Sequence, residues 1–361
     1  MSNCTATDFG YLEGALEPPA LTDSEVIEYL RFLFGNDEIP GILPPTLGNL
    51  TTIMLRHLSC VPCNNIEMHY SPSHMITMSL PHIFDKVVRR ERGGWSMELN
   101  TLFTALLAAL GYTVWMAPAR VALSQWYKPS TGAMRGFFGA IHCVNLVEFC
   151  DAETGKPQIY LADIGYGHKN ILAPIPLVRS AFDGDPYPGV FEESHRLIRI
   201  SPPQCRRAQL HWLLQYRSKD GEPWQDLYTF QESEMTFGDC EISSWWLNTR
   251  QMMVVDNVVS TRIVRVGDEA VGKLILINGS LTHLHESSAA GEYEVVEQVT
   301  ELVSEKKRVK SLSKKFGIKL SPKEKKAIRG WPTELLESQS DCGGRSGVDA
   351  HAGRRLQFTW T

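Results

Sequence analysis

Residues Arg92-Gly93-Gly94-Trp95-Ser96-Met97-Glu98-Leu99-Asn100 join a tight turn to the start of a helix. The two glycines favour the turn, and apolar residues then recur at helical spacing: Leu102, Phe103, Leu106, Leu107 and Leu110. Gly111 is placed to end this helix. Ser96 is therefore expected at or near a helix N-terminus, where the helix dipole stabilises an anion.

Three more helices are predicted before this stretch. Thr22 and Glu25 form a capping box at the start of the first, which runs to Phe34 and stops at Gly35. Apolar residues at helical spacing predict the second over Leu47–Leu58 and the third over Pro81–Arg90. The first hundred or so residues thus indicate a helical region.

After residue 111 the pattern changes to short β-type runs. Strands are predicted at 112–122, 140–149, 158–164, 196–200, 209–217, 225–230, 252–266 and 273–277. Asn278-Gly279 predicts a hairpin into a strand at 280–285. Such closely spaced strands favour an antiparallel sheet or barrel. From Glu292 to Gly317 the apolar spacing, through Val295 and Val299, predicts a helix, and 341–355 is predicted to be a mobile tail.

Composition places the chain among ordinary globular proteins. It has 361 residues, of which 43% are hydrophobic and 21% charged, which is enough to bury a sizeable core. The net charge of -5 argues against nucleic acid or an anionic membrane as a partner. No apolar run approaches the roughly 18 residues of a membrane span, and no signal peptide is recognised at the N-terminus.

Eight cysteines are scattered along the chain, a pattern typical of reduced thiols in a cytoplasmic protein. Cys60-Val61-Pro62-Cys63 is a CxxC without a second pair at zinc-finger spacing or a thioredoxin-like context. We therefore predict no metal site.

Two predicted strands that follow the Ser96 segment in the sequence carry a base and an acid, the side chains that activate a nucleophile. His142 lies in an apolar strand, and Asp163 ends the next one, before Gly165-Tyr166-Gly167. A carboxylate in a buried strand is costly unless it is paired, and a strand histidine is the obvious partner. Each residue alone has a structural explanation, as an N-cap, a core histidine and a turn former. Together, in this order, they predict a Ser96–His142–Asp163 triad.

These segments resemble the arylamine N-acetyltransferases, whose nucleophile motif reads Arg-Gly-Gly-x-Cys-x-Glu-x-Asn in many members. The resemblance covers roughly residues 20–330 and is strongest at 90–170. It places Ser96 on the catalytic cysteine, His142 on the catalytic histidine and Asp163 on the catalytic aspartate. It implies ping-pong acyl transfer from acetyl-CoA or malonyl-CoA to aromatic amines, a reaction of xenobiotic detoxification. Acyl-CoA would be a co-substrate, with no tightly bound cofactor.

The resemblance also implies roles for other residues. Gly139 falls in the acyl-CoA cleft, and Val121 and Tyr166 fall on positions that line the acceptor pocket. Arg92 and Glu98 are expected to pair with each other beside the Gly-Gly turn and to hold it.

The implied fold is α+β with a cysteine-protease-like core. We expect a helical bundle over 1–115, an antiparallel β-barrel over 116–225, an α/β lid over 226–335 and a tail over 336–361. The length and the Arg-Gly-Gly-Trp-x-Met-Glu sequence suggest a eukaryotic member, such as a fungal one. A monomer or a homodimer is expected, and the sequence does not decide between the two.

The acyl donor is left open by the sequence. A preference for malonyl-CoA would require a cation near the acyl site, and Arg120 and Arg135 lie near the matched cleft segments, although both could face solvent. The basic stretch 306–329 could attract the phosphates of CoA or form a solvated helix face.

Serine at position 96 changes the chemistry, because its hydroxyl is about five or more pKa units less acidic than a thiol. Our hypothesis is an engineered Cys→Ser change that blocks turnover, and a natural inactive paralogue is the alternative. Three other functions are alternatives. A serine hydrolase is disfavoured because the segment lacks the final glycine of GxSxG. A catalytically silent module that binds CoA or an amine fits the loss of the thiol. A papain- or transglutaminase-like enzyme shares the chain order but fits the motif less well.

Overall fold

The computed structural model describes residues 20–35, 43–126, 136–150, 155–178, 184–249, 253–289 and 292–336. The predicted tail at 341–355 and Arg135 lie outside these residues. Within them, every helix is too short or too polar to cross a membrane.

Five helices are observed in the N-terminal region, where four were predicted, and Ile66–Tyr70 is the additional one. They are α1 (Asp23–Phe34), α2 (Leu47–Cys60), α3 (Ile66–Tyr70), α4 (Leu80–Phe84) and α5 (Ser96–Ala109). The capping box of α1 is formed, since Thr22 N donates to Glu25 Oε2 over 3.0 Å and Glu25 N donates to Thr22 Oγ1 over 3.3 Å. A π-helical turn, Asp85–Arg89, extends α4, so the predicted third helix is present with a widened last turn.

Eight antiparallel strands form a nearly closed barrel in the order β5-β4-β3-β2-β9-β8-β7-β6. They are β2 (Thr113–Val121), β3 (His142–Cys150), β4 (Pro157–Ala162), β5 (Ile175–Pro176), β6 (Tyr187–Pro188), β7 (Ser194–Ile200), β8 (His211–Arg217) and β9 (Gln225–Phe230). Asn145 pairs with Ala162, so His142 at the start of β3 comes close to Asp163, which follows β4. The α+β class with an antiparallel barrel is confirmed.

A second sheet follows the barrel in the order β1-β10-β11-β12-β13. It contains β1 (Cys63–Asn64), β10 (Val259–Val266), β11 (Glu269–Ile277), β12 (Ser280–Ala289) and β13 (Glu292–Glu301), and it is preceded by α6 (Phe237–Thr249) and α7 (Met253–Asp256). Because Cys63 pairs with Thr261, this sheet joins the N-terminal helices. The divisions at 115, 225 and 335 stay predictions.

Two predicted elements are wrong. Residues 292–301 are a strand paired with β12, and only Glu305–Phe316 (α8) of the predicted helix 292–317 is helical. Val295 and Val299 are four residues apart, a spacing that puts side chains on one face of a helix and also on one face of a strand. The predicted strand 252–266 begins with α7 and becomes β10 only at Val259.

Helix α8 docks on the N-terminal region through a buried arginine, and α9 (Pro322–Ala327) follows it. Arg308 has no exposed surface, and its guanidinium donates to Tyr70 Oη over 2.8 Å and to Thr333 O over 2.8 Å. Glu305 accepts from Arg308 over 2.6 Å. The buried charge is thus paired and hydrogen-bonded, as burial requires.

Candidate active site

The turn before α5 needs glycine for two reasons. Gly93 has φ +64°, and a Cβ there would lie 1.9 Å from Pro62 O. Gly94 N donates to Pro62 O over 3.3 Å, and Asn64 N donates to Gly94 O over 2.8 Å. This close approach fixes the turn against β1 and places Ser96 as the first residue of α5, 6% exposed.

A buried charge network holds the first turn of α5. Glu98 Oε2 accepts from Trp95 N over 2.8 Å, and its Oε1 accepts from Lys86 Nζ. Lys86 Nζ also donates to Glu67 Oε2 over 2.6 Å. Burial raises the pKa of Glu98, and the Lys86 ammonium opposes that rise.

Arg92 does not pair with Glu98, so that prediction is wrong. Its guanidinium binds Glu324 in α9, more than 200 residues further along the chain. Burial would raise the pKa of Glu324, but the bond from Arg92 keeps it below its usual value. Both residues do support the turn, each with a partner that only tertiary structure supplies.

His142 and Asp163 form a buried pair. His142 Nε2 lies 2.8 Å from Asp163 Oδ2, and their side chains are 3% and 1% exposed. Asp163 Oδ1 also accepts from Asn100 Nδ2 over 2.9 Å and from Gly165 N over 2.8 Å. Burial would raise the pKa of Asp163, but His142 and these hydrogen bonds hold it below 3.8. Asp163 is therefore an ionised acceptor near pH 7, and it lies on the Nε2 side of the His142 imidazole.

Aromatic rings surround the imidazole. The His142 ring centroid lies 5.5 Å from that of Tyr166 and 5.1 Å from that of Tyr228. Tyr166 Oη donates to Leu227 O over 3.0 Å, which fixes its ring. Burial, followed by the charge of Asp163, raises the pKa of Tyr166, so the phenol is neutral near pH 7. The imidazole is thus fixed by Asp163 and by ring packing.

A cavity of about 120 Å³ brings the catalytic candidates together. Ser96 and His142 both line it, with Asp163 behind His142. Val121 and Tyr166 line it as well. Gly139 is exposed and lies outside the described lining of this cavity, so its role in the acyl-CoA cleft stays a prediction.

A larger cavity of about 690 Å³ adjoins the first and lies between the barrel and the second sheet. The two cavities share His168, Lys169, Asn257 and Ile277 in their walls. Behind this wall Lys273, 2% exposed, binds both carboxylate oxygens of Glu193, over 2.6 and 2.5 Å. This ion pair joins β11 to the residue just before β7 and fixes the second sheet against the barrel.

Sequence reasoning missed three residues that support or line the site. Asn100 stands in the quoted motif and supports Asp163, but its role required the fold. Lys86 lay in a predicted helix with no sign of its partners. Lys169 lines the cavity and lies in a loop without periodicity, two residues after Gly167. The one signal in the sequence was a charged residue only six positions after Asp163.

The described cysteines are free thiols, and Cys4 and Cys342 lie outside the described residues. Cys63 lines the cavity beside Ser96, but burial and the charges of Asp163 and Glu98 raise its pKa to about 12, so it is no nucleophile near pH 7. Among the described residues, no group of three or more His, Cys, Asp or Glu could hold a metal ion.

Comparison with known proteins supports one family. A model of the N-acetyltransferase family matches residues 46–325. The N-malonyltransferase FDB2 of Fusarium pseudograminearum is 27% identical over 332 residues, which cover 86% of this chain and 93% of that protein. An arylamine N-acetyltransferase of Mycolicibacterium smegmatis is 29% identical over 205 residues, which cover 57% of this chain and 65% of that protein.

Solved structures share the fold. The arylamine N-acetyltransferase of Mycobacterium abscessus matches with a TM-score of 0.66 and 22% identity, covering 86% of this chain and 95% of that one. The enzyme of Mycobacterium marinum in complex with CoA matches with a TM-score of 0.64 and 22% identity, covering 85% and 99%. With the family match spanning most of its length, the chain belongs to the arylamine N-acetyltransferase family.

Proposed function

We propose that this site is built for acyl transfer from acyl-CoA to an aromatic amine, and that Ser96 occupies the position of the nucleophilic cysteine. The observation that carries the proposal is the buried His142–Asp163 pair, whose imidazole lines the same cavity as residue 96. A nucleophile needs a base and the base needs an orienting group, and these three residues supply that set.

With cysteine at position 96, His142 would take the thiol proton and Asp163 would stabilise the imidazolium. The thiolate, at the N-terminus of α5, would attack the thioester carbonyl of acyl-CoA, and the C–S bond to CoA would break. CoA thiolate would leave with the proton returned by His142. The amine would then attack the acyl-enzyme, lose its proton to His142 and release the cysteine.

Serine interrupts this sequence at two steps. Its hydroxyl is a far weaker acid than a thiol, so little alkoxide forms. An ester is also a poorer acyl donor to a weakly basic arylamine than a thioester is. We therefore infer that the chain binds its substrates with greatly impaired turnover, whether Ser96 was engineered or arose naturally. A catalytically silent CoA- or amine-binding module is the second candidate, and Ser96 itself is the observation that favours it.

Two features support acyl-CoA as the co-substrate. The large cavity opens beside the catalytic one and shares its wall at His168 and Lys169, so a long donor could lie in one with its acyl group in the other. A relative is named an N-malonyltransferase, and a structural neighbour is a complex with CoA. A role in detoxification of aromatic amines in the cytoplasm would be in keeping with free thiols in the described part of the chain.

The test compares the chain with its Ser96→Cys variant. Each is incubated with acetyl-CoA or malonyl-CoA and 4-aminophenol while free CoA and acylated amine are followed. We expect turnover from the cysteine variant and at least a thousandfold less from the chain itself, roughly the size of losing an activated nucleophile. His142→Gln in the cysteine background is the matched control and should abolish turnover.

Two outcomes would contradict the proposal. If the cysteine variant releases no CoA with either donor, acyl transfer is not the chemistry of this site. If the chain with Ser96 hydrolyses a simple nitrophenyl ester and the cysteine variant transfers nothing, the site is that of a serine hydrolase.

A further inference from the structure

A third cavity, of about 660 Å³, has a lining that is almost entirely charged. It shares no described lining residue with the cavity beside Ser96 or with the larger one. The described lining carries two carboxylates and five cations, which are Arg89, Arg90, Arg92, Lys319 and Lys323. This is an excess of three positive charges in a chain whose net charge is -5. Such a concentration of one sign in a concave surface attracts anions.

The structure divides the basic stretch 306–329 between two environments. The lysines of α8, among them Lys310 and Lys314, are exposed and lie outside the described lining of all three cavities. They form a solvated helix face. Lys319, between α8 and α9, and Lys323, in the first turn of α9, line the third cavity instead. The end of the stretch is therefore set apart from the rest of it.

Lys319 and Lys323 supply positive charge that no neighbour balances. Among the described residues, neither ammonium has a hydrogen-bond or ion-pair partner. Their backbones are nevertheless fixed. Lys319 lies between Ile318 and Leu320, which are 0% and 7% exposed, and Lys323 follows the capping box that Ser321 forms at the start of α9. The two charges are thus placed in the cavity before any ligand binds.

Arg89 and Arg90 approach the same cavity from the π-helical turn after α4. Arg89 Nε and Nη2 each donate to Glu28 over 3.1 Å, and Arg90 Nε lies 2.7 Å from Asp85 Oδ2. Their side chains are still 46% and 41% exposed. Because a guanidinium has five N–H donors, both keep donors beyond those that these carboxylates use. Their charge is largely balanced, so their contribution to a ligand is orientation.

Arg92 connects the cavity to the turn that precedes Ser96. Its side chain is 8% exposed, lines the cavity and binds Glu324 of α9. The next residues are Gly93 and Gly94 of the turn itself. A ligand held by both walls of the cavity would therefore join α9 to the segment that leads into the turn.

Phosphate groups fit the chemistry of this lining. Guanidinium forks match phosphate oxygens, and lysine ammonium groups bind phosphate as point charges. The volume lies within the roughly 300–1,000 Å³ of small-molecule sites. The described lining contains no aromatic side chain, and its two uncharged residues are Pro72 and Ser321, so it offers no platform for a nucleobase or an acyl chain. Linked phosphates fill such a cavity better than a single anion.

We propose that the third cavity binds a diphosphate or a longer phosphate chain, either free or as part of a nucleotide such as CoA. Lys319 and Lys323 bind the phosphates, and Arg89 and Arg90 orient them. The site is separate from the cavity beside Ser96. This inference goes beyond the proposed function and does not depend on acyl transfer.

The experiment measures binding of pyrophosphate to the chain with Ser96 by titration calorimetry, with citrate as a carboxylate anion for comparison. The test variant combines Lys319→Gln with Lys323→Gln. The matched control combines Lys310→Gln with Lys314→Gln, which removes the same charge from the same basic stretch outside the cavity. Glu91→Gln is an independent variant, since Glu91 is exposed, lines the cavity and has no partner among the described residues.

We expect the test variant to bind pyrophosphate about 5- to 30-fold more weakly than the parent, as for the loss of two exposed ion pairs. The control should stay within about twofold, because distant exposed charges are screened by salt. Glu91→Gln should tighten binding by about two- to fivefold, because it removes a repelling carboxylate.

Three outcomes would overturn the proposal. The first is no saturable binding of pyrophosphate. The second is equal weakening by the test and control variants, which would mean that overall charge attracts the anion. The third is citrate binding as tightly as pyrophosphate, which would make the cavity a general anion surface.

Competition with CoA identifies the source of the phosphates. If CoA displaces pyrophosphate, and the Lys319 and Lys323 substitutions weaken both ligands, the site takes the phosphates of a nucleotide. If CoA and pyrophosphate bind together and only pyrophosphate is weakened, the ligand is a free phosphate chain. Displacement by CoA with no effect of these substitutions on either ligand would place pyrophosphate elsewhere and refute the proposal. Because every readout is binding, the result stands whether or not the cysteine variant transfers an acyl group.

Discussion

Replacing Lys86 with methionine should destabilise the protein strongly and in a pH-dependent way. The Lys86 side chain is 5% exposed, and its ammonium lies between the carboxylates of Glu67 and Glu98. Methionine fills a similar volume but leaves Glu98, which has no exposed surface, without its cation. Breaking a buried pair from one side costs about 3–5 kcal/mol, because the other charge stays buried.

The pH dependence follows from both carboxylates. Burial already raises the pKa of Glu98, and loss of Lys86 raises it further. Burial would also raise the pKa of Glu67, but Lys86 and then His82 hold it below 4.5, so Glu67 contributes stability that is present above that pH and lost as the pH falls through its folded pKa. Without Lys86 both groups bind protons more readily, so the destabilisation should be largest at high pH and shrink as the pH falls.

Urea unfolding at about pH 8 and about pH 5 measures the free energy of unfolding of the parent, Lys86→Met and Lys219→Met. The exposed Lys219 control should stay within about 0.5 kcal/mol of the parent. The double variant Lys86→Met with Glu98→Gln should recover most of the loss, because a neutral amide can still accept from Trp95 N. A cost below about 1 kcal/mol for Lys86→Met at pH 8, or a cost that grows toward pH 5, would refute the reasoning.

Two further predictions concern Asp163, which pairs with His142, and Gly165, which lies against Ser96. In the Ser96→Cys background, Asp163→Asn should lower kcat by about 10³- to 10⁴-fold in the CoA-release assay, because an amide cannot stabilise the imidazolium; a loss under tenfold would contradict this. Since the pKa of Asp163 lies below 3.8, its ionisation stabilises the fold above that pH, and urea unfolding should show this contribution disappear as the pH falls through its folded pKa in the parent but not in the variant. Gly165→Ala would place a Cβ 2.7 Å from Ser96 O and 2.9 Å from Ser96 Cα, and should cost about 1–3 kcal/mol by thermal unfolding as well as activity in the cysteine background. Gly48→Ala, with nothing within 4 Å in α2, should be neutral or stabilising by up to about 1 kcal/mol, and equal effects at the two glycines would argue against the close approach.

Local signals were enough to predict the start of α5 and the order of the site residues. The Gly-Gly turn and the apolar spacing after Ser96 are properties of adjacent residues, and they locate the helix N-terminus. His142 and Asp163 were marked by polar side chains in apolar strands, and the structure joins them at 2.8 Å. A buried charge that must be paired is therefore informative before any fold is known.

Partners far apart in sequence could not be predicted in the same way. Arg92 and Glu98 look like a local pair in the sequence. In the structure Arg92 binds Glu324 and Glu98 binds Lys86, and each partner lies in another helical element. The strand β13 was misread because valines four residues apart satisfy both periodicities, and only pairing with β12 decides between them. Lys169 lies in a loop, where periodicity carries no information.

The bond between Arg308 and Tyr70 has a consequence for the order in which the protein is assembled on the ribosome. It joins residues 238 positions apart, and Tyr70 shares its apolar core with Leu312, Phe316 and Ile328. At about 5–20 residues per second, α3 would wait roughly 10–50 s for these partners to be synthesised. During that time its apolar face is open to chaperones or to other nascent chains, and contacts of such long range form slowly. The yield of folded protein should therefore depend on translation speed. It should also depend on the last 30 or so described residues, although none of these lines the cavity beside Ser96.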